Sequence, residues 1–135
     1  MVAVPNYRNY QRSRLLEKTY QDMVADIRLA QEYAISGKKP QEAASPCQTG
    51  QLQGYYVDRS SSTQYRIRVK CGGTYYIIKT AKVTGVSISE FNQFGFKVLG
   101  EGTDIPYDSF ITITLTQANT SSYKYIYIYP DGRIF

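Results

Sequence analysis

The feature that most constrains this chain is a change of hydrophobic period near residue 40. Upstream of it, Leu16, Tyr20, Met23, Ile27, Ala30 and Ala34 recur at steps of four, three, four, three and four, the period of one helix face. Leu15, Val24 and Ile35 widen the stripe, so the spacing predicts a helix over 6–36 that buries one side along its length. Gly37, Lys38, Lys39 and Pro40 then end it. Glycine can take the left-handed cap position, cations meet the negative end of the helix dipole, and proline cannot continue the helix.

From Gly54 onward the period is two. In Gln64–Lys70, Tyr65, Ile67 and Val69 fall on one face and Arg66, Arg68 and Lys70 on the other, the pattern of a half-buried antiparallel strand. Gly72 and Gly73 supply the positive φ angles of a tight hairpin turn into Thr74–Lys79. A second hairpin pairs Phe110–Thr116, where aliphatics alternate with Thr, with Tyr123–Tyr129, where Ile alternates with Tyr. Gly85–Ser89 and Phe94–Leu99 read as weaker strands, and Pro130-Asp131-Gly132 turns the chain into a short Arg133–Phe135. One helix followed by five to seven antiparallel strands predicts an α+β fold in which the helix covers one face of a single sheet. The 135 residues are enough for one hydrophobic core. They divide into a helix over 1–37, a connecting loop over 38–53 and the sheet over 54–135.

Composition removes most enzyme classes. The chain has no histidine, which excludes Ser-His-Asp and Cys-His nucleophiles and His-ligated zinc. No pair of carboxylates has a stated reason to face each other across a cleft, as glycoside chemistry requires. The expectation is a protein that is not an enzyme and takes no cofactor or metal. There is no tryptophan, but 14 tyrosines combine flat apolar bodies with polar tips, as contact surfaces do.

The net charge of +5 is spread along the chain, with seven Lys or Arg against four Asp or Glu in residues 1–40 and nine against seven in 41–135. Neither part is a basic tail. Cys47 and Cys71 fit no zinc or thioredoxin-like spacing; they form a disulfide in an oxidising compartment or stay as two buried thiols. No run reaches the ~20 apolar residues of a membrane span, and no signal-peptide layout is present.

Arg8, Arg12, Arg14 and Lys18 crowd the positive end of the helix dipole, an arrangement that costs a few tenths of a kcal/mol per charge at an exposed terminus. The charges make better sense if the helix continues upstream past Pro5, with Val2-Ala3-Val4-Pro5 as the end of a removed segment and the first turns projecting. A long helix with a frayed end is the alternative.

Three surface constellations carry candidate chemistry. Arg66, Arg68 and Lys70 form a cationic row with a spacing of about 7 Å, near that of single-strand phosphates, beside tyrosines able to stack on bases. The bland alternative is a solvated strand face that discourages aggregation. Tyr123, Tyr125, Tyr127 and Tyr129 form a ladder that is either one face of the fold or a partner-binding patch. Glu101, Asp104 and Asp108 share a loop that could hold calcium through oxygen ligands or simply be solvated, and Asn119-Thr120-Ser121 fits the glycosylation acceptor pattern.

Val2-Ala3-Val4-Pro5-Asn6-Tyr7, with Tyr10-Gln11 and Ser13-Arg14, resembles the stretch where the N-terminal helix of type IV pilins leaves the membrane. Asp26-Ile27-Arg28-Leu29-Ala30 with Ala34-Ile35 is similar to the helix of minor pilins and H-type pseudopilins, including FimT-like proteins, and Gly132-Arg133-Ile134 to the end of their sheet. The resemblance covers about a third of the chain. It implies a structural subunit of a type IV pilus, competence pilus or type II secretion pseudopilus, membrane-anchored through an absent N-terminal segment and located in the bacterial cell envelope. Its partners would be other pilin or pseudopilin subunits, packed through Leu16, Tyr20, Met23, Ile27, Ala30 and Ala34. The alternatives are a DNA-binding competence subunit using Arg66, Arg68, Lys70 and Arg133, or a Tyr-rich surface adhesin. The chain lacks the precursor cleavage signal of that family, and its closing Gly132-Arg133-Ile134-Phe135 lacks the second arginine of DNA-binding members that end in Gly-Arg-x-Arg.

Overall fold

In the computed structural model, helix α1 runs unbroken from Ala3 to Ser36. The structure describes residues 3–40, 46–118, 120 and 122–135, and side chains over 13–40, 47–118, 120 and 122–135. Met1, Val2, the side chains of Arg8 and Arg12, and Asn119 and Ser121 of the glycosylation pattern lie outside them. Gly37 ends α1 at a φ of 68°. The Lys38 N–H donates to the Tyr33 carbonyl at 3.0 Å and the Gly37 N–H to that of Ala34 at 3.2 Å, the paired bonds of a Schellman cap. Leu16, Met23, Ile27, Ala30 and Ala34 are buried and Tyr20 is half-buried, whereas Leu15 and Ile35 stay exposed, so the stripe is narrower than its sequence suggests. No described helix is long and apolar enough to cross a membrane.

Seven strands follow: β1 (Leu52–Ser61), β2 (Gln64–Cys71), β3 (Thr74–Lys82), β4 (Val86–Ile88), β5 (Phe94–Lys97), β6 (Ile111–Gln117) and β7 (Tyr123–Ile128). They do not form the single sheet expected from their order. All pairings within them are antiparallel, but one sheet holds four strands in the order β3-β2-β1-β5 and a second holds three in the order β4-β6-β7. Gly85, at a φ of 73°, turns the chain off the first sheet, so that Val86, Ser87 and Ile88 pair with Gln117, Thr116 and Leu115 of β6. Only then does β5 return to lie against β1. A seven-stranded sheet twisting by roughly 20° per strand would swing its outer strands away from one helix. Two smaller sheets both keep their inner faces on α1.

β1 is the largest departure from the sequence reading, which named no strand at 52–61 and extended the connecting loop to 53. It occupies an inner position of the first sheet, with Tyr55 and Val57 fully buried. Gly72 and Gly73, at φ values of 59° and 83°, make the tight turn between β2 and β3. Phe94 and Phe96 of β5, Ile113 and Leu115 of β6, and Ile126 and Ile128 of β7 complete the core against Met23 and Ile27. Full burial contributes about 1.5–3 kcal/mol for each large apolar side chain.

The sheets are clasped at both ends. Arg59 Nε donates to the Ile88 carbonyl at 3.0 Å, and Thr103 Oγ1 to the Pro130 carbonyl at 2.7 Å. The expected last strand is reduced to a bridge between Ile134 and Ile128, beside which Tyr127 and Phe135 exchange two 2.9 Å backbone hydrogen bonds.

Candidate functional site

Period-two alternation on β2 turns Tyr65, Ile67, Val69 and Cys71 inward and leaves Arg66, Arg68 and Lys70 on the outer face. In register beside them stand Asp58 opposite Arg66 and Tyr56 opposite Arg68 on β1. Asp58 decides the character of this row. Arg66 donates to Asp58 side-on, from Nε at 3.2 Å and again from Nη2, and Arg68 Nε lies 3.6 Å from the same carboxylate. The side chains of Arg66 and Arg68 are only 29% and 19% exposed, so they lie along the sheet. The hydrogen bond to Asp58 pushes the Arg66 pKa further up.

Next to them is an aromatic and cationic cluster. The Arg68 guanidinium sits 4.5 Å and the Lys70 ammonium 5.3 Å from the centre of the Tyr75 ring, and Tyr56 meets Tyr75 edge-on at 5.3 Å. Arg68 also donates to Gln93, whose amide reaches the Tyr75 hydroxyl at 3.3 Å. Tyr56 lies over Gly95 of β5, and its hydroxyl pKa is raised by burial first, then by Tyr75 and Asp104. A Cβ at Gly95 would stand 2.3 Å from ring carbons of Tyr56. Gly95→Ala is therefore expected to lower stability by about 1–3 kcal/mol in urea denaturation, because ring or strand must shift. An unchanged midpoint would mean that the ring moves aside freely.

The second sheet carries a different surface. Ile126 and Ile128 face the core, while Tyr123 and Tyr125 are exposed and Tyr127 and Tyr129 half-buried on the outside. Tyr123 and Tyr125 are 5.1 Å apart between ring centres, and Tyr125 and Tyr127 5.8 Å. The ladder is longer than its strand. Phe110 packs on Tyr127 at 6.1 Å and on Tyr129 at 5.6 Å, and Phe135 meets Tyr129 at 5.5 Å. Neither Phe110 nor Phe135 was grouped with the tyrosines in the sequence, since β6 and the C-terminal turn bring them there. Arg133, the fourth candidate cation, lies 5.2 Å from the Tyr129 ring and 5.7 Å from that of Phe135, far from the β2 row in chain and sheet, and pairs with Asp131 at 2.7 Å. The hydrogen bond to Tyr123 raises the Tyr125 hydroxyl pKa.

Other candidates are placed as follows. Cys47 and Cys71 form a disulfide with Cα atoms 5.1 Å apart. Of the acidic loop, Asp104 accepts the Gly95 N–H at 2.8 Å, and among the described residues no three His, Cys, Asp or Glu side chains group to hold a metal ion. Sequence reasoning missed Asp26 as a site. It is buried on α1, where it accepts the Tyr65 hydroxyl at 2.5 Å and the Lys79 ammonium at 2.7 Å. The signal was a carboxylate between Met23 and Ile27 on the apolar stripe. Lys124 ties β7 to Glu17 of α1, and that hydrogen bond, with a second from Gln21, lowers the Glu17 pKa.

Comparisons with protein-family models, with curated proteins and with solved structures gave no match to this chain.

Proposed function

We propose that this chain is a structural subunit of a filament of the type IV pilin kind, a minor pilin or pseudopilin that packs beside neighbours through α1 and holds its sheets outward. The observation that carries this reading is the length of α1 as one unbroken helix whose described apolar stripe packs on both sheets. Thirty-four residues of helix extend over about 50 Å at ~1.5 Å per residue. The buried stripe, read along the described side chains, runs from Ala34 back to Leu16, whereas Ser13, Arg14 and Leu15 are exposed. A helix of this length, with an exposed polar face opposite its buried stripe, suits lateral packing with copies of the same element. The reading carries with it an envelope location and other subunits as partners. It involves no catalysis.

Nucleic-acid binding is the less favoured reading, because Asp58 engages two of the three β2 cations and phosphate binding needs them available. In cells that express the protein, a tagged copy is expected in the sheared surface fraction with other filament subunits. Arg14→Glu combined with Leu15→Glu is expected to reduce its recovery there about tenfold or more, while the melting temperature of the isolated chain moves by no more than about 2 °C. Recovery unaffected by the double substitution, or absence of the unaltered protein from that fraction, would overturn the reading.

A further inference from the structure

We propose that the outer face of the second sheet binds a single, soluble chain of a neutral polysaccharide laid along β7. Tyr123, Tyr125, Tyr127 and Tyr129 line the outer side of β7, flanked by Phe110 from the β6 side and Phe135 from the opposite edge, and the contacting ring centres are 5.1 to 6.1 Å apart. The two steps along the strand, 5.1 Å from Tyr123 to Tyr125 and 5.8 Å from Tyr125 to Tyr127, are comparable with one pyranose unit of an extended chain. The row is not required by the core, since Ile113, Leu115, Ile126 and Ile128 already fill the inner face of the same strands. Phe135 at 56% exposure, Tyr123 at 55% and Phe110 at 52% leave large rings open to solvent, an unusual concentration of apolar surface for one small sheet.

The chemistry beside the rings selects the ligand. Thr116, Thr114 and Thr112 stand in register with Tyr123, Tyr125 and Tyr127, so a line of hydroxyls runs parallel to the line of phenols. Pyranose rings have this same double character, with apolar C–H faces that lie on aromatic rings and equatorial hydroxyls that hydrogen-bond at the edges. The charge census excludes an ionic ligand as the primary partner. Arg133 is the cation that lies against these rings, and Asp131 balances it at 2.7 Å; Lys124, on the opposite side of β7, is held by Glu17. A nucleic acid would find aromatic platforms here but, among the described residues, no row of cations for its phosphates. The rings also do not share one plane, since successive interplanar angles are 62°, 35°, 59°, 29° and 81° along the row. They make no flat platform, which suits a single chain that can rotate from unit to unit rather than the flat surface of a crystalline fibre. This inference does not depend on the filament reading.

The test uses the whole chain with soluble xyloglucan, laminarin, hydroxyethyl cellulose and chitohexaose in affinity electrophoresis and calorimetry. Because the protein has no tryptophan, its emission comes from its 14 tyrosines, and a change that Tyr125→Ala with Tyr127→Ala abolishes reports stacking on this face. At least one of these glycans is expected to retard the protein and change that emission, with a hexasaccharide bound about tenfold tighter than the matching disaccharide. Tyr125→Ala with Tyr127→Ala is expected to weaken binding about tenfold or more, whereas Tyr125→Phe with Tyr127→Phe keeps the rings and stays within about threefold. Lys70→Ala, on the other sheet, is expected to leave binding unchanged. Should the double alanine variant fail to fold, Phe110→Ser and Phe135→Ala, at the exposed rings that flank the tyrosines, must show the same direction of loss. Three results would overturn the proposal: no neutral glycan bound at millimolar concentration, binding of oligo-dT that the same substitutions abolish, or a concentration-dependent dimer by sedimentation that disappears in the alanine variant.

Discussion

Replacing Cys47 and Cys71 together by alanine is expected to lower the stability of the oxidised protein by about 3–3.5 kcal/mol, on the chain-entropy model of a closed loop. The two residues are 24 apart in sequence and both buried, so the bridge ties the segment after α1 to the end of β2. The bonds around it hold the same junction: Lys39 Nζ reaches the Gly50 carbonyl at 3.2 Å, and the Gly72 N–H reaches that of Gln51 at 2.9 Å. Without the bridge, the unfolded chain regains the freedom that the closed loop denied it, while the native contacts remain. The urea midpoint should fall, and the amide of Gly72 should exchange faster at a given denaturant concentration. Alanine is the right replacement because serine would put hydroxyls into a buried apolar site. A loss below about 1 kcal/mol would show that the unfolded state is compact around this junction even without the covalent link.

The second large effect is expected at Asp26. Asp26→Ala removes the acceptor of the Tyr65 hydroxyl and the partner of Lys79, and should cost about 3 kcal/mol, near the lower limit for breaking a buried ion pair. Lys79 softens the loss, because its side chain is 49% exposed and can return to water. Tyr65 cannot, since it is only 2% exposed. Lys79→Ala should therefore cost less than about 1 kcal/mol, and the order Asp26→Ala, Tyr65→Phe, Lys79→Ala in urea denaturation checks the argument. A Lys79→Ala loss larger than that of Tyr65→Phe would mean that the salt bridge, not the phenol, carries the interaction.

The same contact predicts an alkaline signature. Burial, then the hydrogen bond to Asp26 and its charge, raise the Tyr65 pKa far above that of a free phenol. The folded state thus holds a proton that the unfolded chain releases above pH ~10, so the contribution of Tyr65 is fully present below that pH and falls by about 1.4 kcal/mol per pH unit above it. Tyr65→Phe should remove this component of the slope. Parallel stability curves for the two proteins above pH ~10 would show that Tyr65 ionises in the native state.

Much of the local structure was legible because it is written in short-range chemistry. The Gly37 stop and the Gly72-Gly73 turn follow from φ angles that other residues reach at a cost, and α1 follows from a stripe with a single period. β1 was not legible. Gly54-Tyr55-Tyr56-Val57 buries residues of both parities, because Gly54 comes so close to the Phe96 carbonyl that a Cβ there would stand 2.6 Å from its oxygen. That approach exists only once β5 has returned to β1. The aromatic row was half legible: alternation lines up four tyrosines, but Phe110 and Phe135 join them from elements that become neighbours through pairing.

Arg66, Arg68 and Lys70 mark the same division. Alternation alone put three cations on one outer face, since a strand turns successive side chains to opposite sides whatever its partners. That Asp58 would stand opposite Arg66 and near Arg68 depended on the register of β1 against β2. The sequence by itself determined one helix with a defined end, the inward and outward sides of the strands it revealed, and a chemistry without histidine. Tertiary structure alone decided that seven strands split into two sheets, that a carboxylate on the apolar stripe meets a buried phenol, and which charges are left for a ligand. Those outcomes rest on contacts between residues far apart in the chain, where pairing and burial choose among partners that are equivalent in any local reading.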